Sequence, residues 1–399
     1  MKFKILKDVK LKGKRVLLRI DINSPVVKER VLDSPRFKES AETIKYLLRE
    51  GAKAAIIAHQ GRKGGDDFVP LNQHANILSR YSGKNIWYVD DLFGKVALTS
   101  IDSLKPGQAI LLKNVREYED ETNINSKKNK YIEFCRNFDV FVNDAFSVCH
   151  RKQGSILLPP KYLPSYIGLN LEKEIIMLKK FHLGKTSTLY IMGGEKIEDY
   201  MPIFSNLRNK KNKILASGVL ANLLLIAKGY NLGYENKWIE EKGYLRLLPK
   251  LKIFYKKYKN QILLPIDFAI ESNNRRVELR LSDFPVDSKI RDIGHETVRI
   301  FKFEIKKAKT VFMKGPPGFS EIPHFSYATV EILKEISLLS KKKKLFSLIG
   351  GGHLTTTISR HRIPNNFSHI SLSGGALISY ISGEELPGLE ALKRRYHFV

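Results

Sequence analysis

Acidic residues are scarce in this chain. Its 399 residues carry 69 Lys and Arg against 41 Asp and Glu, a formal net charge of +28. Cysteine is scarcer still. Only Cys135 and Cys149 occur, too few for a disulfide framework or a cysteine metal cage, and a reducing cytoplasm fits such usage best. No apolar stretch is long enough to cross a bilayer; the longest lies around Val219–Ala227. The opening MKFKILKDVKLKGK has no apolar core of the kind an export signal needs, so neither secretion nor a membrane partner is expected. The phosphate-loop pattern GxxxxGK[ST] is absent too, which argues against a Walker-type ATPase.

What is present is a hydrophobic fraction of 43%, enough to build the two cores that a chain of this length calls for. The basic excess allows two readings: a polyanion partner such as nucleic acid, or a Lys-rich surface on an enzyme of small anions. The cations are spread along the whole chain, with short runs at 127–128, 208–213 and 341–344, and no nucleic-acid signature accompanies them. That spread favours the enzyme.

Apolar β-type runs alternate with amphipathic segments: RVLLRIDI (15–22), a helix over 40–51, AKAAIIAHQ (52–60), AILLKNV (109–115) and DVFVNDAF (139–146). A proline cluster, LLPPKYLPSYIG (157–168), and a helical stretch at 171–182 interrupt the series. It resumes with strands expected at 188–194, 213–217, 262–270, 310–315, 345–351 and 368–375. The pattern predicts an α/β protein of two doubly wound, parallel-sheet, Rossmann-like lobes, joined near 160–184 by a hinge and a connecting helix.

Ligands of open α/β sheets bind beyond the carboxyl ends of the strands. In the first lobe those ends carry Asp21, Asn23, His59, Arg62, Arg116, Asn143, Asp144, His150 and Arg151, with Arg36 in the loop entering the first helix. Any one of these arginines reads as a surface cation. The recurrence at strand after strand reads as a pocket for phosphate and carboxylate, which Arg grips bidentately. In the second lobe the strand ends are glycine-rich instead: GGEK (193–196), KGPPGFSE (314–321), GGGH (350–353) and SGG (373–375). Such loops suit a nucleotide platform, because glycine lets backbone N–H groups approach an anion. An anion pocket in one lobe and a nucleotide shelf in the other suit phosphoryl transfer on domain closure.

The chain resembles phosphoglycerate kinase. The resemblance is carried by KRVLLRIDINSP (14–25), TIKYLLREGAKAAIIAHQGR (43–62), ILLKNVR (110–116), FVNDAFSVCHR (141–151), GGEKIED (193–199), ILLPID (262–267), AKTVFMKGPPGFSE (308–321), LIGGGH (348–353) and the segment 367–392. These blocks cover nearly the whole chain in order, and AHQGR, HRKQGS and GGGH are most similar to the archaeal branch. The resemblance implies reversible phosphoryl transfer between 1,3-bisphosphoglycerate and ADP, giving 3-phosphoglycerate and ATP, with Mg²⁺ as the cofactor carried with ATP or ADP. It implies a phosphoglycerate domain over 1–165, an interdomain helix and hinge over 166–184, a nucleotide domain over 185–382, and a tail, 383–399, returning to the first domain. The substrate-binding positions it implies are Asp21, Asn23, Arg36, His59, Gln60, Gly61, Arg62, Arg116 and Arg151. The nucleotide-binding positions are Gly193, Gly194, Lys196, Gly315, Pro316, Glu321, Gly350, Gly351, Gly352, His353 and Leu354. Arg36 and Lys196 are the implied catalytic pair at the transferring phosphoryl group, and no protein metal ligand is expected.

Four positions depart from what many relatives carry. His353 stands where an Asp helps hold Mg²⁺, Tyr200 where a second lysine stands, Glu195 where Ala is common, and Lys314 where Asn is common. His353 is expected to donate a hydrogen bond to phosphate, directly or through water, with Thr355 assisting at the helix start. These departures and the +28 charge define the alternative: a catalytically weakened kinase fold that binds nucleic acid through its basic surface.

Overall fold

A computed structural model describes residues 3–183 and 187–393, except for the side chains at 182, 183 and 200. The end of the expected tail (394–399), residue 184 of the expected hinge and the side chain of Tyr200 lie outside the described residues. The chain forms two compact units, one reaching to Ile176 and resuming at Gly383, the other running Met177–Ser382. The helix Leu169–Leu183 passes from the first into the second.

The first unit is built on six strands: β1 (Arg15–Arg19), β2 (Lys53–Ile57), β3 (Ile86–Val89), β4 (Ala109–Leu112), β5 (Val140–Asn143) and β6 (Ser165–Ile167). They lie in the order β3-β4-β2-β1-β5-β6, every neighbouring pair parallel. Val16, Leu17, Leu18, Ile56, Ile57, Leu111 and Val142 are fully buried, since helices cover both faces of a parallel sheet and its strands therefore read as unbroken apolar runs. Each such side chain contributes about 1.5–3 kcal/mol through burial. The proline cluster is not a bare linker. It folds into short helices at Gly154–Leu157 and Pro159–Tyr162 and the edge strand β6.

The second unit holds β7 (Thr188–Met192), β8 (Lys213–Ala216), β9 (Ile262–Leu263), an antiparallel trio β10 (Asp267–Ser272), β11 (Arg275–Arg280) and β12 (Ile290–Ile293), then β13 (Thr310–Lys314), β14 (Phe346–Gly350) and β15 (His369–Ser371). The six parallel strands run β9-β8-β7-β13-β14-β15, the doubly wound order in which ligands sit where the winding reverses, here between β7 and β13. The run expected as one strand over 262–270 is two strands in two sheets. Pro265, which has no N–H to give a ladder, sits at the break. No helix among the described residues is long and apolar enough to cross a membrane.

Candidate active site

The carboxyl ends of β1, β2, β4 and β5 supply the first cluster. Arg36 lies in the first turn of the helix Pro35–Arg49, not in the loop entering it as expected, because the helix starts at Pro35. Its guanidinium forms an ion pair with Asp21, whose second partner is the Ser147 hydroxyl. Asn23 uses its backbone N–H on Asp21 Oδ1 (3.1 Å) and its side-chain Oδ1 on the Gly61 N–H (2.8 Å), so the β1 and β2 ends are tied together. Arg116 donates to the Gly61 carbonyl, from a turn capped by Asn114 Oδ1.

These cations crowd one another. Burial first, then Arg19, Arg116, Arg36 and Arg151, hold the His59 imidazole well below its ordinary range, so His59 is neutral. Burial and then Arg151 bring Arg116 down to about 10, and burial and Arg62 lower Arg151. His59, Arg116 and Arg151 each feel neighbouring arginines, which draws Arg19, Arg36, Arg62, Arg116, Arg151 and His59 into one cationic cluster whose countercharges are Asp21, beside Arg36, and the buried Glu121. Six basic side chains against two carboxylates leave room for a small polyanion.

Arg19 was hidden from the sequence reading because it sits inside the apolar run of β1. It is the largest fully buried side chain of the described residues. Its Nη2 lies 3.1 Å from His59 Nδ1, its Nε donates to Ser155 Oγ (3.1 Å), and its Nη1 donates to the Ile20 carbonyl. A guanidinium can only donate, so His59 Nδ1 accepts and the ring proton stays on Nε2. Ser155 in turn donates through Oγ and backbone N–H to the two oxygens of buried Glu121, each at 2.8 Å, and the Tyr131 hydroxyl donates to the same carboxylate (3.1 Å). Arg19 thus joins a buried carboxylate to the imidazole of the site.

Gln60 behaves differently from its expected role. Its amide is fully buried and spent inward: Nε2 donates to the Ser24 and Asp67 carbonyls (2.9 and 3.0 Å), while Oε1 accepts from the Ser24 N–H (2.9 Å) and from His74 Nε2 (3.0 Å). Gly61 has φ +63°, and a Cβ there would overlap the Asp67 backbone, so the turn needs glycine. Both residues shape the loop that presents His59 and Arg62. Asn143 and Asp144 are likewise internal, Asn143 accepting from the Ala145 N–H (3.0 Å) and Asp144 from the Leu171 N–H (2.9 Å) at the start of the helix Leu169–Leu183.

Burial holds His74 at about 4, against an ordinary 6.5. An imidazole held neutral by the fold adds stability that is complete above pH 6.5 and is lost as pH falls toward 4. Over that window wild type should lose about 3 kcal/mol relative to His74→Gln. Urea unfolding of both proteins at pH 7, 5.5 and 4 checks this, and a constant stability difference would remove His74 as a titrating group.

The second cluster flanks the switch point between β7 and β13. The loops after these strands are stitched to each other: Gly193 N–H donates to the Lys314 carbonyl (2.9 Å) and Gly194 N–H to the Pro316 carbonyl (2.8 Å). Gly315 has φ +75°, and a Cβ on it would overlap the Gly193 carbonyl. Glycine is required there by the approach of two backbones, and the amides of Gly193 and Gly194 are already used.

The loop after β14 is the open one. Gly351 has φ +109° and donates to the Ser371 carbonyl (3.2 Å), and a Cβ on Gly351 or Gly352 would meet no atom within 4 Å. The helix Gly352–Arg360 starts here, and the Gly352, His353 and Leu354 amides sit in its first turn, where no intrahelical acceptor exists. Leu354 gives only its amide, since its side chain is buried in the core. Thr355 turns its hydroxyl back to the Gly351 carbonyl (3.2 Å). The exposed His353 side chain lines a cavity of about 310 Å³ together with Gly194, Glu195, Gly218, Trp238, Lys289, Pro316 and Glu321. Lys289 Nζ stands 3.7 Å from the Trp238 ring centroid, and Glu195 acts on Tyr244 and Lys289 at this wall. The aromatic lining is not legible in the sequence, because Trp238 lies in a short helix, Tyr234–Glu241, and not at a strand end.

The two α/β units that carry these clusters have counterparts in known proteins. A sequence profile described as Phosphoglycerate kinase matches residues 6–384. Phosphoglycerate kinase 2 of Methanosarcina acetivorans is 39% identical over 405 residues, covering 99% of this chain and 96% of the relative. Phosphoglycerate kinase of Archaeoglobus fulgidus is 38% identical over 396 residues, 97% and 96% of the two chains. Among solved structures, phosphoglycerate kinase from Pyrococcus horikoshii superposes with a TM-score of 0.90 at 32% identity, covering 98% of each chain. The enzyme from Coxiella burnetii gives 0.81 at 25%, covering 98% and 99%. Matched from end to end in sequence and in fold, the chain belongs to the phosphoglycerate kinase family.

Proposed function

We propose that this protein transfers the γ-phosphoryl group of ATP to the carboxylate of 3-phosphoglycerate, giving ADP and 1,3-bisphosphoglycerate, and runs the reverse reaction equally. The convergence of Arg36, Arg62, Arg116, Arg151 and His59 carries this reading. One carboxylate oxygen attacks the γ-phosphorus, the bond from that phosphorus to the β–γ bridging oxygen breaks, and ADP leaves with the electron pair. The attacking carboxylate is already ionised at pH 7, so no general base is needed. The work left to the protein is positioning and charge stabilisation.

His59, neutral and protonated on Nε2, donates to an oxygen of phosphoglycerate. Arg62, Arg116 and Arg151 neutralise its phosphate and carboxylate charge. Arg36, steadied by Asp21, and Lys196 meet the charge that spreads over the transferring phosphoryl group. The nucleoside occupies the cavity of about 310 Å³, within the usual size of a ligand pocket, and its phosphates take the first-turn amides of Gly352, His353 and Leu354.

No group of three or more His, Cys, Asp or Glu side chains suited to a metal occurs among the described residues. Mg²⁺ commonly keeps several waters and rides on substrate phosphates with one or two carboxylates, and the cavity offers Glu195 and Glu321 for that purpose. When bound, Mg²⁺ supplies charge neutralisation at the β- and γ-phosphates. The reaction and the cysteine usage suit the cytoplasm. The nucleic-acid alternative rests on the +28 charge and on the departures at Glu195, Tyr200 and His353, and no observation favours it over the kinase reading.

A coupled assay with 3-phosphoglycerate and ATP over a Mg²⁺, Mn²⁺ and Ca²⁺ series tests the reading. Turnover is expected with Mg²⁺, and its absence with every metal would refute the reading.

A further inference from the structure

We propose that Lys314 is a second phosphate-contacting cation of the nucleotide site, acting beside Lys196 on the phosphate tail rather than on the nucleoside. This rests on the kinase reading of the same site.

Lys314 is the last residue of β13, the strand at the reversal of winding. Its register partners are Met192 on one side and Gly350 on the other, so it stands between the starts of both glycine loops. Its backbone is occupied as a loop anchor, since its carbonyl accepts the Gly193 N–H. Its side chain has no such job. It is partly buried, and no hydrogen bond or ion pair closes on its ammonium among the described residues. The charged groups that act on it are Asp199, which favours the ammonium, and Lys196, which opposes it, and burial lowers its pKa.

A partly desolvated ammonium with no bonded partner is costly, and a second cation beside it adds to the cost. A lysine placed only for packing would have no need of a charge at a strand end that lies between both glycine loops. An anion in reach of both Lys196 and Lys314 removes both costs at once. Neither lysine is among the residues lining the 310 Å³ cavity. On this proposal the aromatic-lined cavity takes the nucleoside, and the two lysines outside its lining serve the charged tail.

The consequence is a dependence on phosphate count. Calorimetric titration of the full chain with adenosine, AMP, ADP and ATP, each with Mg²⁺, should be compared for wild type, Lys314→Met and Lys314→Arg. Lys314→Met should lose about tenfold to a hundredfold in affinity for ADP and ATP while adenosine binding is unchanged, and Lys314→Arg should keep most of the affinity. Wild-type affinity for ADP and ATP in Lys314→Met would overturn the inference. An equal loss for adenosine, the mark of a packing defect, would overturn it too. Turnover of wild type, measured alongside, separates the two readings. If wild type turns over and Lys314→Met binds normally, only the role of Lys314 fails. If Lys314-dependent nucleotide binding appears without turnover, the kinase reading fails and the assignment stands.

Discussion

Arg36→Ala should lower kcat on the order of 10²–10³-fold, and Lys196→Ala by a similar factor, with far smaller changes in the KM for 3-phosphoglycerate and ATP. The expectation follows from where charge develops. In the ground state the negative charge sits on the bound anions, which in the proposed complex face Arg62, Arg116 and Arg151. On the way to transfer, charge spreads over the equatorial oxygens of the phosphoryl group, and only a cation aimed there favours the transition state over the ground state. In the proposed role Arg36 is held in place by its ion pair with Asp21 and the Ser147 hydroxyl behind Asp21, which remove much of its freedom. The two parameters separate the roles in steady-state assays. A raised KM with unchanged kcat in both variants would move Arg36 and Lys196 from the transferring group to ordinary ligand binding.

The second large effect is one of stability. Arg19→Met should cost about 3–5 kcal/mol, the usual consequence of removing one member of a buried charged network and leaving the other behind. The partner left behind is Glu121, whose carboxylate burial already pushes its pKa up and which Arg19 helps to keep ionised. Adding Glu121→Gln to Arg19→Met should recover much of that loss, since the stranded charge is gone. Activity should not recover with it. Without Arg19, the donor that fixes the His59 proton on Nε2 is gone, and the KM for 3-phosphoglycerate should stay raised in the double variant. Denaturant unfolding of the four proteins in the cycle gives the coupling. If Arg19→Met is as stable as wild type, the buried network carries no stability.

Much of this molecule could be read from its residues, and the failures have physical causes. Parallel strands covered on both faces are continuous apolar runs, so β1, β2, β4, β5, β7, β13 and β14 announce themselves. The strand β6 does not, because two of its neighbours within five residues are prolines and only Ile167 of its three residues is buried. Strands β9 and β10 read as one because nothing local distinguishes a continuing strand from two strands that part at Pro265 for different sheets.

At the site, polar residues after a strand look alike in sequence whether they face a ligand or the fold. Gln60 faces the fold and Arg62 is exposed, two positions apart. Arg19 had the opposite fault. Its place within an apolar run marks it as a strand residue, and only the meeting with His59, 40 positions on, gives it a role. The glycines split in the same way. Those after β7 and β13 serve loop against loop, and those after β14 leave amides open, a difference set by which carbonyls the neighbouring strand brings close.

An acyl phosphate can be caught directly. Incubation of the protein with ATP, Mg²⁺ and 3-phosphoglycerate in the presence of hydroxylamine should yield the phosphoglycerate hydroxamate in step with ADP, and Arg36→Ala should suppress both together. ADP released without hydroxamate, or neither product under conditions where nucleotide binds, would contradict transfer to the carboxylate.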